Sequence, residues 1–179
     1  AYQVSGEMAM LEAAAANVAL APDIASLLVV RHGRLALERY FHGRDLASAD
    51  NVHSLSKSIL SLMTGIAIAD GALRLDSTIG DHLPEDLVGE HRDLTVRQLL
   101  TMAAGLAPDD AAPYEWQPSV EPGQPSFLEA VLSRPSVAPP DHEFAYNTGL
   151  TQVLAAVLTE ATGESLCRYA VEHLFGPLD

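Results

Sequence analysis

A chain of 179 residues, 48% of them hydrophobic, is long enough to bury the core of one ordinary domain, which excludes an intrinsically disordered segment. Its net charge of -14 argues against a surface that neutralises nucleic-acid phosphates or anionic lipid headgroups, because both tasks rest on lysine and arginine. No apolar run reaches the length that spans a bilayer, the start AYQVSGEMAM lacks the basic and apolar regions of a signal peptide, and the single cysteine, Cys167, permits no internal disulfide.

In chain order, Gly6–Leu20 (GEMAMLEAAAANVAL) has the alanine-rich composition of a helix, closed by Ala21 and Pro22, and is expected to pack on a sheet. Ser26–Val30 and Leu35–Phe41 alternate as two β-strands joined by a turn at His32 and Gly33. The stretch from Asn51 to Asp70, NVHSLSKSILSLMTGIAIAD, follows. Leu55, Ile59, Leu62, Met63 and Ile66 recur at helical spacing, and Leu60, Ala67 and Ile68 spread the apolar surface almost all round, which predicts a buried helix with Gly71 as its C-cap.

That helix carries a polar line of Ser54, Lys57, Ser58 and Ser61 and holds the one lysine of the chain; the other nine basic residues are arginines. Lys57 stands one helical turn after Ser54, within reach of its hydroxyl. Burial disfavours an ammonium, so a core lysine can serve as a base towards a serine nucleophile. The free backbone N–H groups at the helix start would stabilise an oxyanion beside Ser54. The same residues admit a second reading, in which Ser54 is an N-cap and Lys57 a snorkelling side chain. A Ser-His pair of His53 with Ser54 is disfavoured because neighbours on a helix point apart.

Beyond it, LRLDSTIGDHLPE is expected to be a loop, and Leu94–Met102 a short helix with Thr95 as N-cap and Gly105 ending it. Ala107–Pro125 is an acidic, proline-rich loop containing Asp109, Asp110, Glu115 and Trp116. That tryptophan is either part of a solvated loop or the rim of a substrate cleft. Ser126–Ser133 reads as a short helix, Pro135–Pro140 as an extended connector, and about Gly149–Thr162 and Glu164–Phe175 as two closing helices. The seven histidines show no metal-ligand spacing, Asp76–Asp81 lacks the alternating acids of a calcium loop, and Cys167 reads as a buried packing residue, so neither metal nor cofactor is expected.

Four segments, in order, resemble the penicillin-recognising serine hydrolases: class C β-lactamases, D-alanyl-D-alanine carboxypeptidases, related esterases and 6-aminohexanoate-dimer hydrolases. SLLVVRHGRLALERYFHG is similar to that family's first hairpin, NVHSLSKSILSLMTGIAIADGALRLD to its nucleophile helix, LTVRQLLTMAAGL to the next helix and turn, and FAYNTGLTQVLAAVLTEATGESLCRYAVEHLFGPL to the segment with the catalytic tyrosine. The resemblance implies that Ser54 is acylated, that Lys57 activates it, and that Tyr146 passes the proton to the leaving group. It places Thr148 at the third position of a Y-x-N or Y-x-S motif, a substrate-binding position where threonine keeps a hydroxyl and adds a methyl.

The fold so implied is α+β, β-lactamase/transpeptidase-like. Residues 1–50 would supply a helix and hairpin of an incomplete α/β domain, and residues 51–179 a mainly helical domain with Ser54, Lys57 and Tyr146. The family's third motif, K-T-G or H-x-G, lies on a later strand that this sequence does not include. Two strands are marginal by themselves, so a companion chain carrying that motif is expected to complete the sheet. The expected activity is a serine hydrolase acting through an acyl-enzyme on a small amide or ester, with a periplasmic or extracellular location favoured by the resemblance. The alternative is a non-hydrolytic sensor or binding module.

Overall fold

A computed structural model of the chain describes residues 5–107 and 126–178. The expected loop with Trp116 lies outside the described residues. The chain divides into two compact units, Ala1–Val52 and His53–Asp179.

In the first unit, helix α1 (Ser5–Val18) is followed by an antiparallel pair, β1 (Ser26–Arg31) and β2 (Arg34–Tyr40). The tight connection falls at His32 and Gly33, both at positive φ (49° and 69°), the mirror-image turn that matches strand twist. The register slips between Val29 and Val30 at a β-bulge. Arg31 pairs with Glu7 at 2.5 Å and Arg39 with Glu12, so α1 is tied to the hairpin by charge, while Ala15 and Leu37 are buried. Leu28, Val30 and Leu35 remain exposed.

The second unit holds the main core. Helix α2 (Leu55–Ala69) buries Leu60, Met63, Thr64 and Ala67, a run at i, i+3, i+4 and i+7. Its end uses Gly71 as expected: Gly71 at φ 80° follows the cap residue Asp70, and Ala72 N–H reaches back to the Ala67 carbonyl at 2.9 Å. Within the expected loop, residues 73–85, the chain makes a helical turn at Ile79–Asp81, and helix α3 (Glu85–Val88) begins at the loop's last residue. The turn is closed by a capping box in which Thr78 N–H donates to Asp81 at 2.7 Å.

Helix α4 (Val96–Leu100) starts at the Thr95 cap as expected but ends at Thr101, before Gly105. Gly105 serves another purpose. At φ 71° it lies so close to the connector that a Cβ would fall 2.1 Å from the Ala138 carbonyl oxygen, and its own carbonyl accepts from Val137 N–H at 2.8 Å. Helix α5 (Phe127–Leu132) is capped by Ser126. Helix α6 (Thr148–Thr162) buries Leu150, Val153, Leu154, Val157 and Leu158, and ends on Gly163 in the left-handed region. The last expected helix is α7 (Leu166–Tyr169), a π-helical segment Ala170–Phe175, and α8 (Gly176–Leu178). Cys167, expected to be buried, is exposed.

One expectation about α2 fails. It is not buried all round: Leu55 and Leu62 on the opposite face are 56% and 59% exposed. The sequence is apolar on two faces, and the described residues cover one.

Candidate active site

Ser54 occupies the N-cap position of α2, yet its side chain makes no capping hydrogen bond. The residue before it, His53, adopts φ 47°, in the left-handed region that residues with a Cβ uncommonly occupy. The serine hydroxyl is therefore spared from helix duty. It lies 2.8 Å from the Tyr146 hydroxyl and accepts from Lys57 Nζ at 3.3 Å. The spacing of three within one helix brings Ser54 and Lys57 together, and tertiary packing brings Tyr146 across 92 residues of sequence.

Lys57 is half-buried rather than in the core, contrary to expectation, because the face of α2 that carries it is open. Its ammonium also sits 5.2 Å from the centroid of the Tyr146 ring, a cation–π distance. These contacts act on the phenol. The hydrogen bond with Ser54 first, then that with Lys57, pull the Tyr146 pKa below the usual tyrosine value; the lysine charge and Thr148 add to this, against a small opposing effect of burial. Thr148 is the first residue of α6, so the structure sets it beside the phenol it contributes to.

Tyr146 is 52% exposed. Its placement comes from the backbone on either side. Ala145 N–H donates to the Met102 carbonyl at 2.9 Å, and Met102 itself takes φ 53°. On the other side Asn147, 2% exposed, caps α6 by accepting from Gly149 N–H at 2.8 Å. A Cβ on Gly149 would lie 2.6 Å from a Val131 methyl and 2.9 Å from Asn147 Oδ1, so the entry to α6 is seated directly on α5. The sequence reading passed over Asn147. An asparagine just before a helix is an N-cap signal, and it would have been found had the helix been started one residue earlier.

Ser54, Lys57 and Tyr146 thus come together, Thr148 joins them through the phenol, and Trp116 falls outside the described residues. A shallow depression bordered by Ile68, Gly71, Arg74 and Arg97 lies at the other end of α2, about 20 Å along the axis by helix geometry. Glu164, Glu172 and His173 bring potential ligand atoms within 4.8 Å of one another, but Arg168 spans the two carboxylates at 3.7 and 2.9 Å and supplies their positive charge.

A serine at a helix start, a lysine one turn on and a tyrosine just before the next long helix are what comparison sets in a family. The family model for Beta-lactamase matches residues 21–179, and the chain belongs to that family, one of the penicillin-recognising serine hydrolases. Among its relatives, Protein flp of Staphylococcus aureus (strain MW2) is 23% identical over 165 residues, 86% of this chain and 33% of that protein. The fold is similar to that of a putative beta-lactamase from Bacteroides dorei DSM 17855 (TM-score 0.75, 18% identity, 95% of this chain and 51% of that one). It is also similar to that of a putative 6-aminohexanoate-dimer hydrolase from Bacillus anthracis (TM-score 0.69, 22% identity, 83% and 43%). The chain spans a third to a half of the length of these proteins. The expected fold class holds: a β-lactamase/transpeptidase-like arrangement, mainly helical, with a two-stranded antiparallel sheet among the described residues.

Proposed function

We propose that the protein is a serine hydrolase that acylates Ser54 with a small amide or ester. The observation that carries this reading is the Ser54 hydroxyl between Tyr146 Oη and Lys57 Nζ, at 2.8 and 3.3 Å. Tyr146, the nearer group and one whose ionisation is eased, takes the Ser54 proton as Oγ bonds to the substrate carbonyl carbon. Lys57 donates to Oγ and eases the ionisation of the phenol. The tetrahedral oxyanion is met by the backbone N–H at the start of α2. When the bond to the leaving group breaks, Tyr146 returns the proton to the departing nitrogen or oxygen. A water then attacks the acyl ester and gives its proton to Tyr146, which passes it to Ser54 Oγ as the bond between Oγ and the acyl carbon breaks and the acid is released.

In this reading the sheet is larger than two strands. A two-stranded hairpin is at best marginal in water, and β1 and β2 leave Leu28, Val30 and Leu35 exposed. Further strands, from a companion chain or from a longer polypeptide that includes this sequence, complete the sheet and supply the second oxyanion donor on a K-T-G or H-x-G strand. The test of the function is turnover by the intact protein of a chromogenic cephalosporin, a p-nitrophenyl ester and a D-amino-acid amide. Repeated turnover of any of them, lost in Ser54→Ala, is the expected result; stoichiometric binding without turnover of all three would instead make the protein a sensor or binding module.

A further inference from the structure

We propose that Asn147 is a positioning residue for Tyr146: its carboxamide oxygen fixes the start of α6 and thereby holds the tyrosine hydroxyl against Ser54. This rests on the catalytic reading of Ser54 and Tyr146 given above. The tyrosine side chain is half exposed and extends from a segment with no helix or strand pairing, so it is not wedged in place by surrounding bulk. Its direction is inherited from its backbone, and the backbone is clamped at both neighbours. Ala145 N–H is held by the Met102 carbonyl at 2.9 Å; Asn147 is held in an extended conformation (φ -147°, ψ 110°) by the bond from Gly149 N–H to its Oδ1 at 2.8 Å.

The carboxamide is used by one end only. Asn147 Nδ2 is buried and has no hydrogen-bond partner among the described residues. Buried amides normally have partners at both ends; among the described residues it is Oδ1 that has one, Gly149 N–H. Two consequences separate positioning from mere helix capping. Glycine is tolerated at an N-cap almost as well as asparagine, so Asn147→Gly should leave α6 formed while freeing the backbone next to Tyr146. Serine offers a capping oxygen without the idle donor, so Asn147→Ser should restore the clamp.

The experiment is a near-ultraviolet phenolate titration of the intact protein, its asparagine variants and a Tyr146→Phe reference that isolates the Tyr146 signal. The rate of Ser54 labelling by a fluorophosphonate is measured in parallel, and helical circular dichroism controls for folding. The expected result is that Tyr146 titrates below the ordinary tyrosine range in the parent, moves up to it in Asn147→Gly with labelling slowed by up to about 10²-fold, and comes back down in Asn147→Ser. A folded Asn147→Gly protein with the parent's titration and labelling rate overturns the inference and leaves the catalytic reading standing. Should the glycine variant unfold, the serine variant decides: a folded Asn147→Ser protein whose Tyr146 titrates like an ordinary tyrosine overturns the inference, and one that keeps the parent's titration supports it. A parent protein in which Ser54 is not labelled brings down the catalytic reading, and this inference with it.

Discussion

The hydroxyl of Ser54 lies 2.8 Å from that of Tyr146, and Lys57 reaches both: 3.3 Å to the serine oxygen and 5.2 Å to the centre of the tyrosine ring. The three side chains are mutually within reach, and each can be removed separately.

Removal of Lys57 should appear in the pH dependence. The lysine hydrogen bond and charge both lower the Tyr146 pKa, so Lys57→Met should raise it. If the phenolate is the base, activity increases with pH as Tyr146 ionises, and the rising limb of kcat/KM should move to higher pH in the variant. Turnover at the parent's optimum should fall by about 10² to 10⁴-fold in Lys57→Met and in Tyr146→Phe alike. An unshifted rising limb in Lys57→Met would remove the lysine's influence on Tyr146 from the account.

The Ser54–Lys57 relation was legible in the sequence because it is local: three residues along one helix fix the separation whatever the rest of the chain does. Tyr146 was reached only through resemblance, since nothing in the periodicity of FAYNTGL says which of the chain's tyrosines faces Ser54. The boundaries of α6 and α4 were misplaced for definite reasons. α6 starts at Thr148, one residue ahead of the expected Gly149, with Asn147 as its cap, and Gly105, read as a helix end, is needed for its close approach to Ala138. The exposed face of α2 could not be read because a helix apolar on two faces looks the same whether one or both are covered.

Asp81 gives a second pH test, this time of stability. Its carboxylate accepts from Thr78 N–H at 2.7 Å, and that bond holds its pKa below the ordinary carboxylate value. A carboxyl group whose pKa is depressed by folding stabilises the folded state above its unfolded pKa, near 3.9, and loses that contribution as pH falls through the folded value. Asp81→Asn should therefore be less stable than the parent at pH 7, with the difference shrinking below about pH 4. Equal urea midpoints at pH 7 would contradict the capping role.

Leu158 is fully buried at the centre of the core formed with α2 and α4. Leu158→Ala should cost about 2 to 5 kcal/mol in equilibrium unfolding, the range for a leucine whose cavity cannot collapse. Leu62→Ala, on the exposed face of α2, distinguishes an open face from one that further strands cover. In the intact protein a loss comparable to that of Leu158→Ala would show that Leu62 is buried there, and a loss under about 0.5 kcal/mol would show that it stays exposed.

The proposed completion of the sheet has a direct readout. Native mass spectrometry of the protein isolated from its source should show this sequence accompanied by further polypeptide, either as a second chain or within a longer one. A stable, fully active species with the mass of residues 1 to 179 alone would overturn it.

The central claim is that Ser54 is the nucleophile. Intact-protein and peptide mass spectrometry after incubation with a fluorophosphonate or a β-lactam tests it most directly. The account predicts one adduct, carried by Ser54, absent in Ser54→Ala and retained in Ser56→Ala and Ser58→Ala; an adduct that persists in Ser54→Ala, or maps to another residue, would contradict it.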